Sequence, residues 1–186
     1  EEKVNLGALK CPSCGGPMPI RTPDTTERAA CQYCHALVDV NHGNLAIAEQ
    51  LRQPKITPLI PLGTEGTVRG EPVVCIGFMQ RSTWSDGEAF NWREYLFHAP
   101  GGYRWLMEDN GHFMWIKPVS NADVVVQGLS ARWAGRTHRL FSTAHATVEF
   151  VIGEFYWRVS VGDTADLADF IDPPHIISEE RTDNEV

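Results

Sequence analysis

From Gly63 onward, apolar and polar positions alternate with a period of two, the spacing of strands that bury one face. Asp86-Gly87 and Asn110-Gly111 interrupt the alternation, and both dipeptides suit two-residue hairpin loops because their residues tolerate positive φ. A two-residue loop at Asn110-Gly111 sets Met107 opposite Met114 and Trp105 opposite Ile116. Tyr103, Trp105, Met107, Met114 and Ile116 then share one face, which is expected to be a core face. A third hairpin is expected around Gly153-Glu154. After it, Phe155, Trp157, Val159 and Val161 alternate with Tyr156, Arg158 and Ser160 as in a half-buried antiparallel strand. All six tryptophans fall between Trp84 and Trp157, and at strand spacing they are expected to pack in the core and across strands.

Upstream the period changes. Leu45, Ile47, Ala48 and Leu51 have helical spacing over Asn44–Gln53, with Asn41 or Asn44 as cap and Pro54 as stop. Pro54, Pro58 and Pro61 then predict an extended linker. The fold class that follows is mainly β: a small N-terminal zinc ribbon, then an antiparallel β meander or small barrel-like domain. The expected boundaries are a ribbon over 3–40, a connector helix and proline-rich linker over 41–62, an antiparallel β domain over 63–178 and an acidic tail over 179–186.

The ribbon rests on the cysteines. Cys11-Pro12-Ser13-Cys14 and Cys31-Gln32-Tyr33-Cys34 are two pairs sixteen residues apart. A two-residue gap lets both sulfurs of a pair turn toward one point, and the spacer is long enough for a hairpin that brings the pairs together. Cys11, Cys14, Cys31 and Cys34 then complete a tetrahedron of thiolates that suits structural Zn²⁺, with iron as the alternative metal. Two disulfides or a redox-active pair are the rival readings, and the chain carries no sign of secretion that would favour disulfides. His35 follows the second pair where Gly often sits, as a neighbour rather than a fifth ligand. The isolated Cys75, in the apolar run Val73–Met79, is expected to behave as a small hydrophobe.

Charge narrows the function classes. The 186 residues carry a formal charge of -8, and residues 163–186 hold eight acidic groups against one basic group. That end is expected to be solvated and partly disordered. Nucleic-acid binding needs clustered Lys and Arg, and the ribbon offers only Lys3, Lys10, Arg21 and Arg28. No apolar run is long enough to span a bilayer as a helix, and Glu1-Glu2-Lys3 is neither an initiator Met nor the start of a signal peptide, so further residues are expected ahead of it. The sequence has no nucleophile elbow, zinc-protease motif, phosphate loop or dinucleotide fingerprint. No residue is therefore assigned a catalytic or cofactor-binding role, and His98, His112, His138, His145 and His175 are too scattered to predict a second metal site.

The order of short motifs resembles an uncharacterised bacterial family catalogued as domain of unknown function 4178. The matching text includes Cys11–Gly16, Arg21–Thr26 and Cys31–Cys34, then Pro58–Gly63, Gly66–Gly70, Ile76–Arg81, Trp92–Leu96, Gly101–Leu106 and Pro173–Glu180. His35 departs from the Gly expected there. The resemblance implies a cytoplasmic protein encoded near phage-shock-type membrane-stress proteins and aminopropyltransferase-like proteins, and a chain that continues past Val186. The function expected from these readings together is a non-enzymatic zinc-binding adaptor or scaffold for a protein partner. The alternatives are an accessory subunit or enzyme acting on polyamines or another small cation, and nucleic-acid binding through the ribbon.

Overall fold

The structure is a computed structural model and describes residues 9–41, 44–50, 56–85 and 87–182. Among them, all regular structure is strand except one 3-10 turn at Asn121–Asp123. Strands β1 (Leu9–Lys10) and β2 (Pro17–Met18) form a two-stranded ladder. The remaining strands join one open antiparallel sheet.

The sequence pattern is clearest in the meander of β6 (Glu65–Val68), β7 (Glu71–Ser85), β8 (Glu88–Ala99), β9 (Gly102–Asp109) and β10 (His112–Ile116). Each strand pairs with the next. The expected register holds at the β9–β10 turn, where Met107 faces Met114 and Trp105 faces Ile116. Ser85 faces Glu88 across the Asp86-Gly87 loop, although Asp86 itself lies outside the described residues. Beyond them come β11 (Val125–Gln127), β12 (Ser130–Trp133), β13 (Arg136–Phe155), β14 (Thr164–Asp172) and β15 (His175–Arg181).

The twenty-residue β13 is the seam of the molecule. Its first half pairs with β12 and β14, and its second half pairs with β7 and with β3 (Arg28–Ala30). This corrects the expectation of a hairpin at Gly153-Glu154, because the strand runs through both residues. Gly153 does not mark a turn there. It has φ +92, and a Cβ on it would lie 2.3 Å from the Ile76 carbonyl oxygen, so the glycine permits two backbones to approach closely. The strand expected after it is also replaced, since residues 156–163 form an irregular loop. Val159 is buried and Trp157 and Val161 pack on the core as the alternation suggested, but Tyr156, expected on the opposite face, packs on the same cluster.

The helix expected over Asn44–Gln53 is a strand. β5 (Asn44–Gln50) pairs with β4 (Ala36–Asn41), placing Ile47 opposite Val38 and Leu45 opposite Val40. Leu45 and Ile47 satisfy a period of two as well as a helical one, and the open edge of β4 supplies a ladder that a three-turn helix could not match. Residues 51–53 lie outside the described residues. The proline-rich segment, described from Ile56 onward, is irregular and lies on the sheet, with Ile56, Ile60 and Leu62 against the core and the Leu59 amide donating to the Tyr95 hydroxyl at 3.1 Å.

The acidic end is ordered where it is described. β14 and β15 form a hairpin, and Glu179 and Glu180 belong to β15 rather than to a free tail. Each of its described acids has a partner. Asp166 meets His145 and Asp172 meets Arg136, while Asp169 accepts from Ser142 and Ser178. Glu180 receives both ends of the Arg81 guanidinium at 2.8 and 3.2 Å, and Arg81 is only 4% exposed. Asp183 and Glu185 lie outside the described residues.

Core residues lie on both faces of the sheet. One cluster gathers Ile76, Met79, Leu96, Val151 and Phe155 with Ala30 and Leu37 from the cysteine region. A second gathers Cys75, Phe78, Tyr95, Phe97 and Phe150, and a third, smaller one gathers Cys11, Met18, Ala29, Cys31, Ala36 and Val38 among the N-terminal strands. The tryptophan expectation is corrected in part: Trp105 and Trp157 pack together on the first cluster, but Trp84 is 74% exposed and Trp133 is exposed. Among the described residues no helix is long and apolar enough to cross a membrane.

Candidate metal centre

Two similar loops build the centre. In the first, the Gly15 amide donates to the Cys11 carbonyl at 2.8 Å and the Cys11 amide donates to the Gly16 carbonyl at 2.8 Å. In the second, His35 donates to Cys31 and Cys31 donates to Ala36, both at 2.9 Å. The bonds correspond one for one. Gly15 and His35 therefore occupy the same position, and both take positive φ, +74 and +57. His35 stands where the loop calls for glycine, which is the departure visible in the sequence. Its ring packs edge-on against Phe150 at 5.7 Å and it does not belong to the sulfur cluster.

The four sulfurs of Cys11, Cys14, Cys31 and Cys34 lie within 4.8 Å of one another. Cys11 and Cys34 are 3.6 Å apart, and Cys14 and Cys31 are 3.8 Å apart. A tetrahedron with metal–sulfur bonds of about 2.3 Å has edges of about 3.8 Å, so the set can hold one metal ion. Backbone amides already face two of the sulfurs: Gly16 donates to Cys14 and Tyr33 to Cys31, both at 3.4 Å. Such donors offset the negative charge that four thiolates leave around a divalent ion.

The centre is fastened to the sheet by contacts that spacing could not reveal. β3 pairs with β13 and places Ala30 opposite Gly153. Beside that ladder Glu154, 2% exposed, accepts from the amides of Arg21 at 2.7 Å and Thr22 at 3.1 Å. The Arg21 guanidinium lies 3.5 Å from its second oxygen. Burial pushes the Glu154 carboxyl above its usual range, and the amides and Arg21 act against that shift. Arg28 reaches Asp39 at 2.7 Å and the Ser160 hydroxyl at 2.9 Å, and the hydroxyls of Thr25 and Tyr103 hydrogen-bond each other. A Glu at the end of the apolar run Phe150–Phe155 is the available signal, since a buried carboxylate needs donors from elsewhere.

Cys75 is separate from the centre. It is fully buried in the second core cluster, and burial pushes its thiol up to about 12, as expected of an inert side chain. Of the described histidines, His98 packs against Tyr103, His145 pairs with Asp166, and His138 is fully buried in β13 opposite Ala131.

Residues 61–186, two thirds of the chain, match a family described as "Domain of unknown function (DUF4178)". The chain belongs to this family. The match begins at Pro61, so the family domain comprises β6 to β15, and all four cysteines precede it. No curated protein and no solved structure matches the chain.

Proposed function

We propose that this DUF4178 chain is a non-enzymatic adaptor whose structural Zn²⁺ centre fastens the N-terminal strands to a β domain that docks a protein partner in the cytoplasm. A centre that uses four protein thiolates has no position left for substrate or water, so its contribution is stability rather than catalysis. The observation that carries the docking reading is the tip of the β7–β8 hairpin. β13 accompanies β7 only as far as Arg81, and β9 accompanies β8 only as far as Arg93. Beyond those points a bare two-stranded arm carries Trp84, 74% exposed, and Phe90, 48% exposed. Large aromatic side chains on a projecting arm are the kind of anchor that fills a pocket on another protein.

The rival readings have less support. Arg21 and Arg28, half of the basic groups available for nucleic acid, are committed to Glu154 and Asp39. The acidic residues that could attract a polyamine are held by His145, Arg136, Arg81 and serines.

The docking test is a pull-down identified by mass spectrometry and repeated with Trp84→Ala/Phe90→Ala. The double variant should lose the captured protein with little change in Tm, because exposed side chains contribute little to folding. Retention of the same protein by the double variant would reject the arm as the docking site, and turnover of any substrate by the zinc-loaded chain would reject a purely adaptor role.

Zinc binding should also respond to pH in a defined direction. Burial pushes the Cys31 thiol up to about 12. Burial also acts to raise Cys34, but the Ala36 amide and the neighbouring sulfurs outweigh it and bring that thiol to about 7. Cys31 therefore holds its proton at neutral pH without metal and must release it on binding. Apparent Zn²⁺ affinity should climb by at least about one log unit per pH unit across neutrality, and acid should release the ion. Competition with a chromogenic chelator measures this, and a flat profile would exclude thiolate ligation.

A further inference from the structure

The β6–β7 turn and the end of β10 border a half-open surface cavity of about 250 Å³ lined by Val68, Arg69, Glu71, Arg104, Trp115 and Lys117. Its charges are unequal. Both oxygens of Glu71 are taken by Arg104, at 3.0 Å from Nε and 2.7 Å from Nη2. The remaining Arg104 nitrogen donates to the carbonyls of Gly101 and Tyr103 at 3.3 and 2.8 Å, so this side chain, 7% exposed, is a fixed and neutralised wall. Arg69 and Lys117 are exposed and have no ion-pair partner among the described residues. Two uncompensated positive charges thus face one cavity in a chain of net charge -8.

The backbone at Arg69 adds a second observation. Val68 faces Glu71, so Arg69-Gly70 is a two-residue hairpin loop with φ of +52 and +82. Asn110-Gly111 makes the same turn with +49 and +81 and uses the residue that the geometry favours. Arginine has no such preference and accepts a strained φ. Turn chemistry does not call for Arg69, just as it does not call for Ala134 in the similar Ala134-Gly135 turn, and Arg69 lies on the pocket wall. Trp115, half-buried against Phe97 at 5.6 Å, supplies a flat apolar wall beside the two cations.

We propose that this cavity binds a small doubly charged oxyanion, phosphate or a phosphomonoester, between Arg69 and Lys117, with Trp115 against the ester group. The cavity is smaller than the usual range for drug-sized ligands, which favours a compact anion. The site lies within the family domain and does not depend on the metal centre.

The experiment titrates the full zinc-loaded chain at constant ionic strength with inorganic phosphate and, separately, with glycerol phosphate. Calorimetry and the Trp115 indole NMR signal, assigned through Trp115→Phe, report binding. A saturable one-to-one isotherm with Kd near or below about 1 mM is expected, and tighter binding of the ester would reflect contact with Trp115. Arg69→Asn separates charge from fold: it should weaken binding by about tenfold or more while raising Tm, because Asn suits the turn better. Lys117→Gln should weaken binding without that rise. The proposal falls if neither ligand saturates or moves the Trp115 signal at about 20 mM, well above that Kd. It also falls if both variants bind as tightly as the parent chain.

Discussion

Stripping the metal with a strong chelator, or replacing Cys31 with Ser, is expected to unfold residues 9–41 and to lower the Tm of the whole chain. Structural Zn²⁺ in small thiolate sites supplies about 10–16 kcal/mol of apparent binding free energy, and so short a segment has no core of its own large enough to replace it. The sequence alone suggests that the β domain would stand apart from this loss. The shared ladder argues for transmission instead. Without β3, one edge of β13 is unpaired, and Phe155 loses Ala30 and Leu37 from its cluster. Glu154 loses the Arg21 and Thr22 amides and keeps a carboxylate in an apolar setting. Near-UV circular dichroism should therefore change at the Tyr156–Trp157 contact as well as in the N-terminal segment. Limited proteolysis before and after chelation gives the direct reading. An N-terminal segment that stays resistant with an unchanged Tm would mean that no metal holds it.

Gly153→Ala should be the most damaging single substitution in the family domain. Its Cβ would lie 2.3 Å from the Ile76 oxygen, 2.9 Å from Gly77 Cα and 3.0 Å from a Leu62 methyl, and the first two belong to the backbone of the neighbouring strand. Backbone cannot rotate away as a side chain can. A loss of at least about 3 kcal/mol in urea unfolding is expected, combining overlap with the strain of positive φ. Gly162→Ala is the matched control: Gly162 has the same φ of +92 and nothing within 4 Å, so its variant reports the backbone strain alone. Equal losses in the two variants would show that the close approach of β7 and β13 contributes nothing.

What was legible in the sequence had a local cause. The cysteine pairs declared the four-sulfur cluster because a two-residue gap has few other purposes in that arrangement. Asn110-Gly111 fixed a register because its turn chemistry is self-contained. Arg69-Gly70 and Ala134-Gly135 make the same kind of turn, with positive φ at both residues, yet neither Arg nor Ala announces it. In these two, only the glycine gives a signal. Gly153 is ambiguous for the opposite reason, because a glycine that relieves crowding looks the same in sequence as one that opens a turn. β5 was lost to a short segment whose spacing fits two periods, with the deciding ladder supplied by β4. The pairing of β3 with β13 and the donors to Glu154 were out of reach, since no local pattern encodes contacts between such distant parts of the chain.

That last pairing imposes an order of events during synthesis. Ala30 meets Gly153, 123 residues later by subtraction, so the N-terminal segment leaves the ribosome long before its docking strand exists. At about 5–20 residues per second the wait is roughly 6–25 s. Through that interval β3 exposes an unpaired edge, a template for pairing with other nascent chains. An ion captured early by the four thiols would keep the segment closed until β13 arrives, so supply of the proposed metal should govern the yield of soluble chain as well as its final stability.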